Sequence, residues 1–389
     1  MNKDQTNIVE QTFNCARFVW NKMLEYVNTY YDIYHEYHIP NYGDIVNANE
    51  FLNDKSYIID RHSISNVRRF LKESFSKFFS SLDNKSRRIR KDGKPQGYPR
   101  FKSKKHSKCS FTSYNHIDKI FIDYENHMIK LNVLGYVSFD KREKQIPSYW
   151  KLKHYTISKS NYKYYISLNF QYENNRIPEN PELKVVAPVP SLTLGLDYKS
   201  DGLYMDSNGT CCGMPKYYRT NQKRLRMLQK KLSRQIRDSH NYDKTRKKIS
   251  KLHEHIRSCR RDFLHKLSTS IAKTYNVVCV EDLNLHGISR SLKLGKSTMD
   301  NGFGMFVNML SYKLYRIPLK ILVKVNRFYP SSKTCSHCGY ILNTLKLSDR
   351  VFNCPKCKQK LDRDYNAAIN IKNEGISIIQ DRLKLLCPV

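Results

Sequence analysis

Four cysteines in one short stretch constrain this chain more than any other feature. Cys335 and Cys338 are separated by two residues, and after a further fifteen residues Cys354 and Cys357 repeat the pair. Each CxxC turn aims two thiolates at one point, and Gly339 lets the chain turn tightly after the first pair. Four thiolates close a tetrahedral site and leave no position open. The spacing therefore predicts a structural zinc module over 330–360, not a catalytic metal. Cys15, Cys109, Cys211, Cys212, Cys259, Cys279 and Cys387 lack such partners and read as small apolar filler or surface thiols. Eleven cysteines in 389 residues are too few for a disulfide scaffold, so metal binding in a reducing cytoplasm fits better.

Charge narrows the partner. With 69 Lys and Arg against 35 Asp and Glu, the chain carries a formal +34, which points to a polyanion, most often nucleic acid. Residues 216–266 hold 18 of the basic residues against 4 acids. Leu225, Leu228, Leu232 and Ile236, then Ile249, Leu252, Ile256, Phe263, Leu267 and Ile271, recur there at helical spacing, which predicts a basic helical hairpin over 216–273. An unbalanced charge run of this kind contacts phosphate more often than it merely faces water, so Lys223, Arg224, Lys230, Lys231, Arg234, Lys247 and Lys248 are expected to hold a nucleic-acid backbone. The loop 85–108, with Arg87, Arg88, Arg100, Lys102 and Lys104, is a second candidate. Phe111, Tyr114 and Tyr155 could stack on unpaired bases, although core packing is the ordinary role of such aromatics. No apolar run approaches the ~18 residues of a membrane span, and MNKDQTNIVEQTF has no secretory apolar core. These features argue against a membrane protein, a secreted mini-domain and an acidic small-molecule enzyme.

The length allows two to three domains. Helical spacing runs over 6–35 and again from His62 to Leu82, with a polar, Asn-rich stretch (38–57) between. From Cys109 to Tyr172 the period becomes two, and antiparallel strands are expected with turns at Glu125–Asn126 and Ser160–Asn161. The proline-dotted segment 177–191 reads as a linker. Beyond it come a strand (192–198), a hairpin, the two basic helices, a strand (276–281), a helix near 303–316, a strand (319–325), the cysteine module and a short helix near 365–373. That order is expected of a ribonuclease-H-like layer fold, and periodicity alone leaves other α/β folds open.

Three acids stand out by position. Asp197 and Glu281 end apolar strands, and Asp364 opens the last helix in LDRDYNAAINI. Carboxylates converging from strand ends and a helix start can hold two divalent ions, Mg²⁺ or Mn²⁺, which together activate a water and stabilise a leaving oxygen in phosphodiester hydrolysis. Each acid also has an ordinary reading: Asp197 as a turn opener, Glu281 as a cap for Leu283–Leu285, Asp364 as an acid at a helix N-terminus.

GLDYKSDGLYMDSNG, VVCVEDLNLHGISR, FYPSSKTCSHCG, NCPKCK and LDRDYNAAINI occur in the order found in TnpB, and with NCARFVWNKML and YPRFKSK the sequence resembles that family over nearly its whole length. TnpB is a transposon-encoded RNA-guided DNA endonuclease related to compact type V CRISPR effectors. The resemblance implies a mixed α/β fold. A helical recognition lobe over 1–108 and wedge β-barrel strands over 109–176 precede a ribonuclease-H-like RuvC domain over 192–389. It implies Asp197, Glu281 and Asp364 as metal ligands, with Asp364 rather than Asp362 matching the family's position. It also implies guide RNA and double-stranded target DNA as partners, a monomer, and a cytoplasmic, nucleoid-associated prokaryotic protein. Family members carry a strand with a basic-aromatic-Pro pattern before the glutamine that is Gln5 here, so the first barrel strand is expected to be missing. Two other functions compete. An RNA-guided repressor needs a damaged acid triad, and all three acids are present. A strand-joining transposase usually orders its acids Asp, Asp, Glu, whereas here the order is Asp, Glu, Asp.

Overall fold

Asn2 starts the first helix by accepting the Gln5 N–H at 2.8 Å while the Gln5 carboxamide oxygen accepts the Asn2 N–H at 3.0 Å, a reciprocal cap. The helix, α1 (Lys3–Tyr34), buries Val9, Phe13, Ala16, Val19, Trp20, Met23, Leu24 and Val27 along one stripe. The computed structural model describes residues 1–54, 57–80, 97–104, 107–114, 120–140, 145–147, 149–171, 187–285, 287, 300–346 and 349–386. The chain divides into two compact units, Met1–Glu173 and Asn174–Val389.

In the first unit α1 packs on α3 (Arg61–Phe79), whose cap Asp60 accepts the Ser63 N–H at 2.9 Å. Ile64, Leu71 and Phe75 meet Val19, Met23 and Leu24 in their shared core. The Asn-rich stretch contains a helix that periodicity did not announce, α2 (Tyr42–Asn47), too short for a pattern and anchored by Ile45 and Val46. Six strands follow: β1 (Ser110–Tyr114), β2 (Phe121–Asp123), β3 (Met128–Leu131), β4 (Gly135–Ser138), β5 (Lys151–Ser160) and β6 (Lys163–Gln171). The β5–β6 turn falls at Asn161 and Tyr162, both at positive φ.

The expected barrel is not there. Among the described residues the strands form two separate sheets, β1-β5-β6 and β2-β3-β4. Closure requires an unbroken ladder, and β2-β3-β4 pairs only within itself. Its apolar face is covered instead by a helix, because Val9 and Phe13 of α1 join Phe111, Ile129, Leu131, Tyr155 and Ile157 in one core. The Gln5 carboxamide donates to the carbonyls of Leu134, in the turn before β4, and Tyr136, in β4, both at 2.9 Å.

The second unit is built on β7 (Thr193–Tyr198), β8 (Tyr204–Asp206), β9 (Cys211–Cys212), β10 (Val277–Glu281) and β11 (Ile321–Val325), in the order β11-β10-β7-β8-β9. β10 runs parallel to both β7 and β11, while β7, β8 and β9 are antiparallel. Parallel strands need cover on both faces. Val278 and Val280 face α5 (His240–Thr274) and α6 (Phe303–Tyr315) through Leu264, Phe306 and Leu310. Val277 and Cys279 face α7 (Arg363–Leu386) through Ile371 and Ile379. The helix expected near 365–373 is much longer, running from Arg363 through Gly375 to Leu386. A Cβ on Gly375 would stand 2.2 Å from the Cys279 Sγ, so the missing side chain lets the helix lie on β10. α4 (Tyr217–Ser233) pairs with α5 over Leu225, Leu252 and Ile256 as the basic hairpin. Most of the linker 177–191 and most of the basic loop 85–108 lie outside the described residues.

Candidate active site and metal centre

The four sulfurs of Cys335, Cys338, Cys354 and Cys357 all lie within 4.8 Å of one another. Cys335 Sγ is 3.6 Å from Cys357 Sγ, and Cys338 Sγ is 3.5 Å from Cys354 Sγ. A tetrahedral zinc with bonds of about 2.3 Å would set such edges at roughly 3.8 Å, so the donor set fits zinc with small adjustment. Two matching turns build it. The Cys335 carbonyl accepts the Gly339 N–H at 2.9 Å, and the Cys354 carbonyl accepts the Lys358 N–H at 3.0 Å. Gly339 and Lys358 both take a left-handed conformation, at φ 73° and 60°. The first position was legible as glycine; the second carries a lysine and was not. Phe352, fully buried, joins the cysteines in the small core beneath, and β12 (Val351–Asn353) pairs with β13 (Lys360–Asp362) to close the module.

The acids gather at one end of the parallel strands. Val280 pairs with Leu196, so the next residues, Glu281 and Asp197, leave adjacent strands at the same level. Gly195 lets the third approach: a Cβ on it would stand 2.2 Å from the Ala368 carbonyl and 2.7 Å from the Lys372 nitrogen, so bare backbone is needed for α7 to lie against β7. Asp364 sits in the first turn of that helix. Asp362 has a different task, since its Oδ1 accepts the N–H groups of Asp364 at 2.9 Å and Tyr365 at 3.0 Å and caps the helix.

Burial, then the charges of Glu281 and Asp364, push the Asp197 carboxyl well above its ordinary value, against the pull of Arg363 and Lys199. Burial also raises Glu281, opposed by a hydrogen bond from the Ser331 hydroxyl. Lys199 Nζ lies 3.5 Å from Asp364 Oδ2, and Arg363 Nη2 lies 3.3 Å from its Oδ1. Carboxylates whose charges raise the proton affinity of Asp197 form a hard oxygen donor set of the kind that suits Mg²⁺ or Mn²⁺. Among the described residues the thiols are the one group of three or more such donors closed on a single point; the acids, though Glu281 and Asp364 act on Asp197 by their charge, do not close that tightly.

The basic residues singled out on the hairpin are exposed: Lys223, Arg224, Lys230 and Lys231 on α4, Arg234 just after it, and Lys247 and Lys248 on α5. Arg100 and Lys104 are exposed as well. Lys102 is not a free cation, for its Nζ stands 3.5 Å from the centre of the Trp20 ring and burial lowers it to about 8. Phe111 and Tyr155 are core residues, and the Tyr155 hydroxyl donates to the buried Asp60 carboxylate at 3.1 Å. Tyr114 is half-buried, with the Arg69 guanidinium 4.9 Å over its ring and the His154 ring 5.1 Å away. Ser331 and Lys199 went unremarked in the sequence because lone serines and lysines carry no spacing signal.

Family models match three segments: "Helix-turn-helix domain" over 1–34, "Probable transposase" of the IS605 OrfB type over 170–292, and "Cas12f1-like, TNB domain" over 303–371. The first of these segments is a single helix over Lys3–Tyr34 here. A Streptomyces pristinaespiralis protein provisionally named an RNA-guided DNA endonuclease is 27% identical over 378 residues, covering 96% of this chain and 87% of its own. A similarly named Escherichia coli K12 protein is 27% identical over 381 residues, covering 94% of this chain and 87% of its own. A solved complex of Cas12f1 with sgRNA and target DNA superposes with a TM-score of 0.52 at 16% identity, covering 96% of this chain and 83% of that one. Fold and cysteine module thus define a mixed α/β protein with a Cas12f1-like fold. The chain is similar to the TnpB-like, IS605 OrfB-type proteins.

Proposed function

We propose that this chain is a transposon-associated, RNA-guided DNA endonuclease that cleaves target DNA next to a short flanking motif. The observation that carries the reading is the meeting of Asp197, Glu281 and Asp364 from two parallel strand ends and a helix start. In this reading the second unit is a RuvC-like nuclease domain, and the three carboxylates hold two Mg²⁺ or Mn²⁺ ions. Bound there, the ions would supply a water of lowered pKa and neutralise charge on the leaving oxygen. The chain's own groups do the rest. The carboxylates fix where the ions sit, the Ser331 hydroxyl holds one Glu281 oxygen, and Lys199 and Arg363 balance Asp364. The exposed cations of the hairpin, with Arg100 and Lys104, hold nucleic-acid backbone. Sequence choice falls to base pairing with the guide RNA, and the cysteines hold structural zinc. We place the protein in a prokaryotic cytoplasm, at the nucleoid, as a monomer; among the described residues no helix is long and apolar enough to cross a membrane.

The test is cleavage of a plasmid target by the purified chain with RNA transcribed from its transposon end. Asp197→Ala, Glu281→Ala and Asp364→Ala should each abolish Mg²⁺-dependent cleavage and leave RNA-guided DNA binding. Near-normal cleavage by Glu281→Ala would remove the assignment.

A further inference from the structure

The segment between β11 and the first zinc cysteine runs past the acids, and three buried side chains fasten it. The Ser331 hydroxyl donates to Glu281 Oε1. The Asn370 carboxamide donates to the carbonyls of Ser331 at 2.8 Å and Thr334 at 2.6 Å. One turn earlier on α7, Asn366 donates to the Thr334 carbonyl at 2.7 Å and accepts the Ser336 N–H at 2.9 Å. Ser331, Asn366 and Asn370 are 5%, 0% and 3% exposed. Thr334 and Ser336 flank Cys335, so the two asparagines grip the base of the first zinc turn.

Burying two carboxamides in a helix face is costly unless every polar atom has a definite partner, and an apolar residue would fill such a position with less demand. What the asparagines add is direction. Asn370 holds the Ser331 backbone against the helix that carries Asp364, Asn366 holds the adjoining Thr334–Ser336 backbone against it, and Ser331 in turn holds one Glu281 oxygen. Two of the three acids are thereby linked through groups that also shape the cysteine module. Partners that orient a metal ligand contribute about 10- to 100-fold to metal affinity or activity.

We infer that Ser331 is a positioning residue for Glu281, and that Asn366 and Asn370 couple the acid site to the zinc module, so that divalent-cation binding at the carboxylates depends on the fold the cysteines impose. The inference rests on the reading of the acids as metal ligands.

The experiment titrates Mn²⁺ into the purified full-length chain without substrate and follows free Mn²⁺ by electron paramagnetic resonance. Zinc content and thermal melting are measured on the same samples. Ser331→Ala should weaken Mn²⁺ binding about 10-fold or more with zinc content unchanged, and Ser331→Thr, which keeps the hydroxyl, should recover it. Asn370→Ala, which leaves that hydroxyl in place but frees its backbone, should weaken binding in the same direction. Wild-type Mn²⁺ affinity in both Ser331→Ala and Asn370→Ala would overturn the inference. So would loss of zinc and of the melting transition in all three variants, which would make the contacts merely structural. Asp197→Asn and Glu281→Gln serve as references. If these two also bind Mn²⁺ normally, the acid-site reading fails; if they lose it while Ser331→Ala does not, only the positioning role fails.

Discussion

The surroundings of Asp197 oppose its ionisation. Its raised proton affinity has a thermodynamic consequence, because the unfolded chain releases this proton near 3.8 while the native chain keeps it to higher pH. Across that interval the native state binds more protons than the unfolded state, so this group's contribution to stability falls as pH rises. A divalent cation competes with the same proton. In metal-free protein, Asp197→Asn should therefore raise the melting temperature at neutral pH by removing like-charge repulsion. In wild type, the Mg²⁺-induced rise in melting temperature should grow with pH, and Asp197→Asn should abolish it. Scanning calorimetry over a pH series with and without Mg²⁺ checks both, and a Mg²⁺ effect that is flat with pH would contradict the account. The neighbouring pair of aspartates separates as cleanly. Asp362→Asn keeps a capping oxygen and should cost well under about 1 kcal/mol with cleavage retained, whereas Asp364→Asn should eliminate cleavage at nearly unchanged stability. Equal activity of the two variants would mean that the roles were wrongly divided.

At the scale of elements, β7 and α7 depend on a glycine at their contact. Overpacking usually costs about 1–3 kcal/mol, and here the Cβ of Gly195→Ala would meet backbone, which cannot swing away. The substitution should lower stability by about 3 kcal/mol or more in chemical denaturation and reduce cleavage further by moving Asp364 away from Asp197. A variant of wild-type stability would show that α7 shifts freely. This contact also explains what was legible beforehand. The strands that carry Asp197 and Glu281 announced themselves as apolar runs ending in an acid, and α1, α3 and the basic hairpin announced themselves by helical spacing. The length of α7 was hidden, because glycine signals a helix end locally and Gly375 answers a tertiary demand from Cys279. The barrel was expected by analogy with a family and not from any pattern in the strands. Alternation predicts which face is buried but not which strand is the neighbour, and here α1 supplies the cover. The cysteine pairs were readable because spacing alone fixes their chemistry; Ser331, Asn366 and Asn370 were not, because their partners lie 50, 30 to 32, and 36 to 39 residues away in the chain.

At the scale of the whole molecule, a formal charge of +34 makes non-specific attraction to any polyanion inevitable, so the question is how the excess is used. On the hairpin the cations are exposed while Leu225, Leu252 and Ile256 hold the two helices together, so the charged face can change without opening the core. That makes it a clean place for a test. Each phosphate contact releases condensed counterions and steepens the plot of log affinity against log salt by about 0.9 for duplex DNA and about 0.7 for single strands. If Lys230, Lys231 and Arg234 each touch one phosphate, replacing all three by Glu should flatten the slope by about two to three. Binding should weaken by a similar factor for matched and mismatched targets, since backbone contacts carry no sequence information. The measurement is the affinity of the guide-loaded protein for several targets across a salt series, with circular dichroism confirming that the hairpin remains helical. An unchanged slope would mean that these cations face only water. A shift in target preference at constant slope would mean that they read bases or duplex shape, and the hairpin's assignment as a backbone clamp would have to be abandoned.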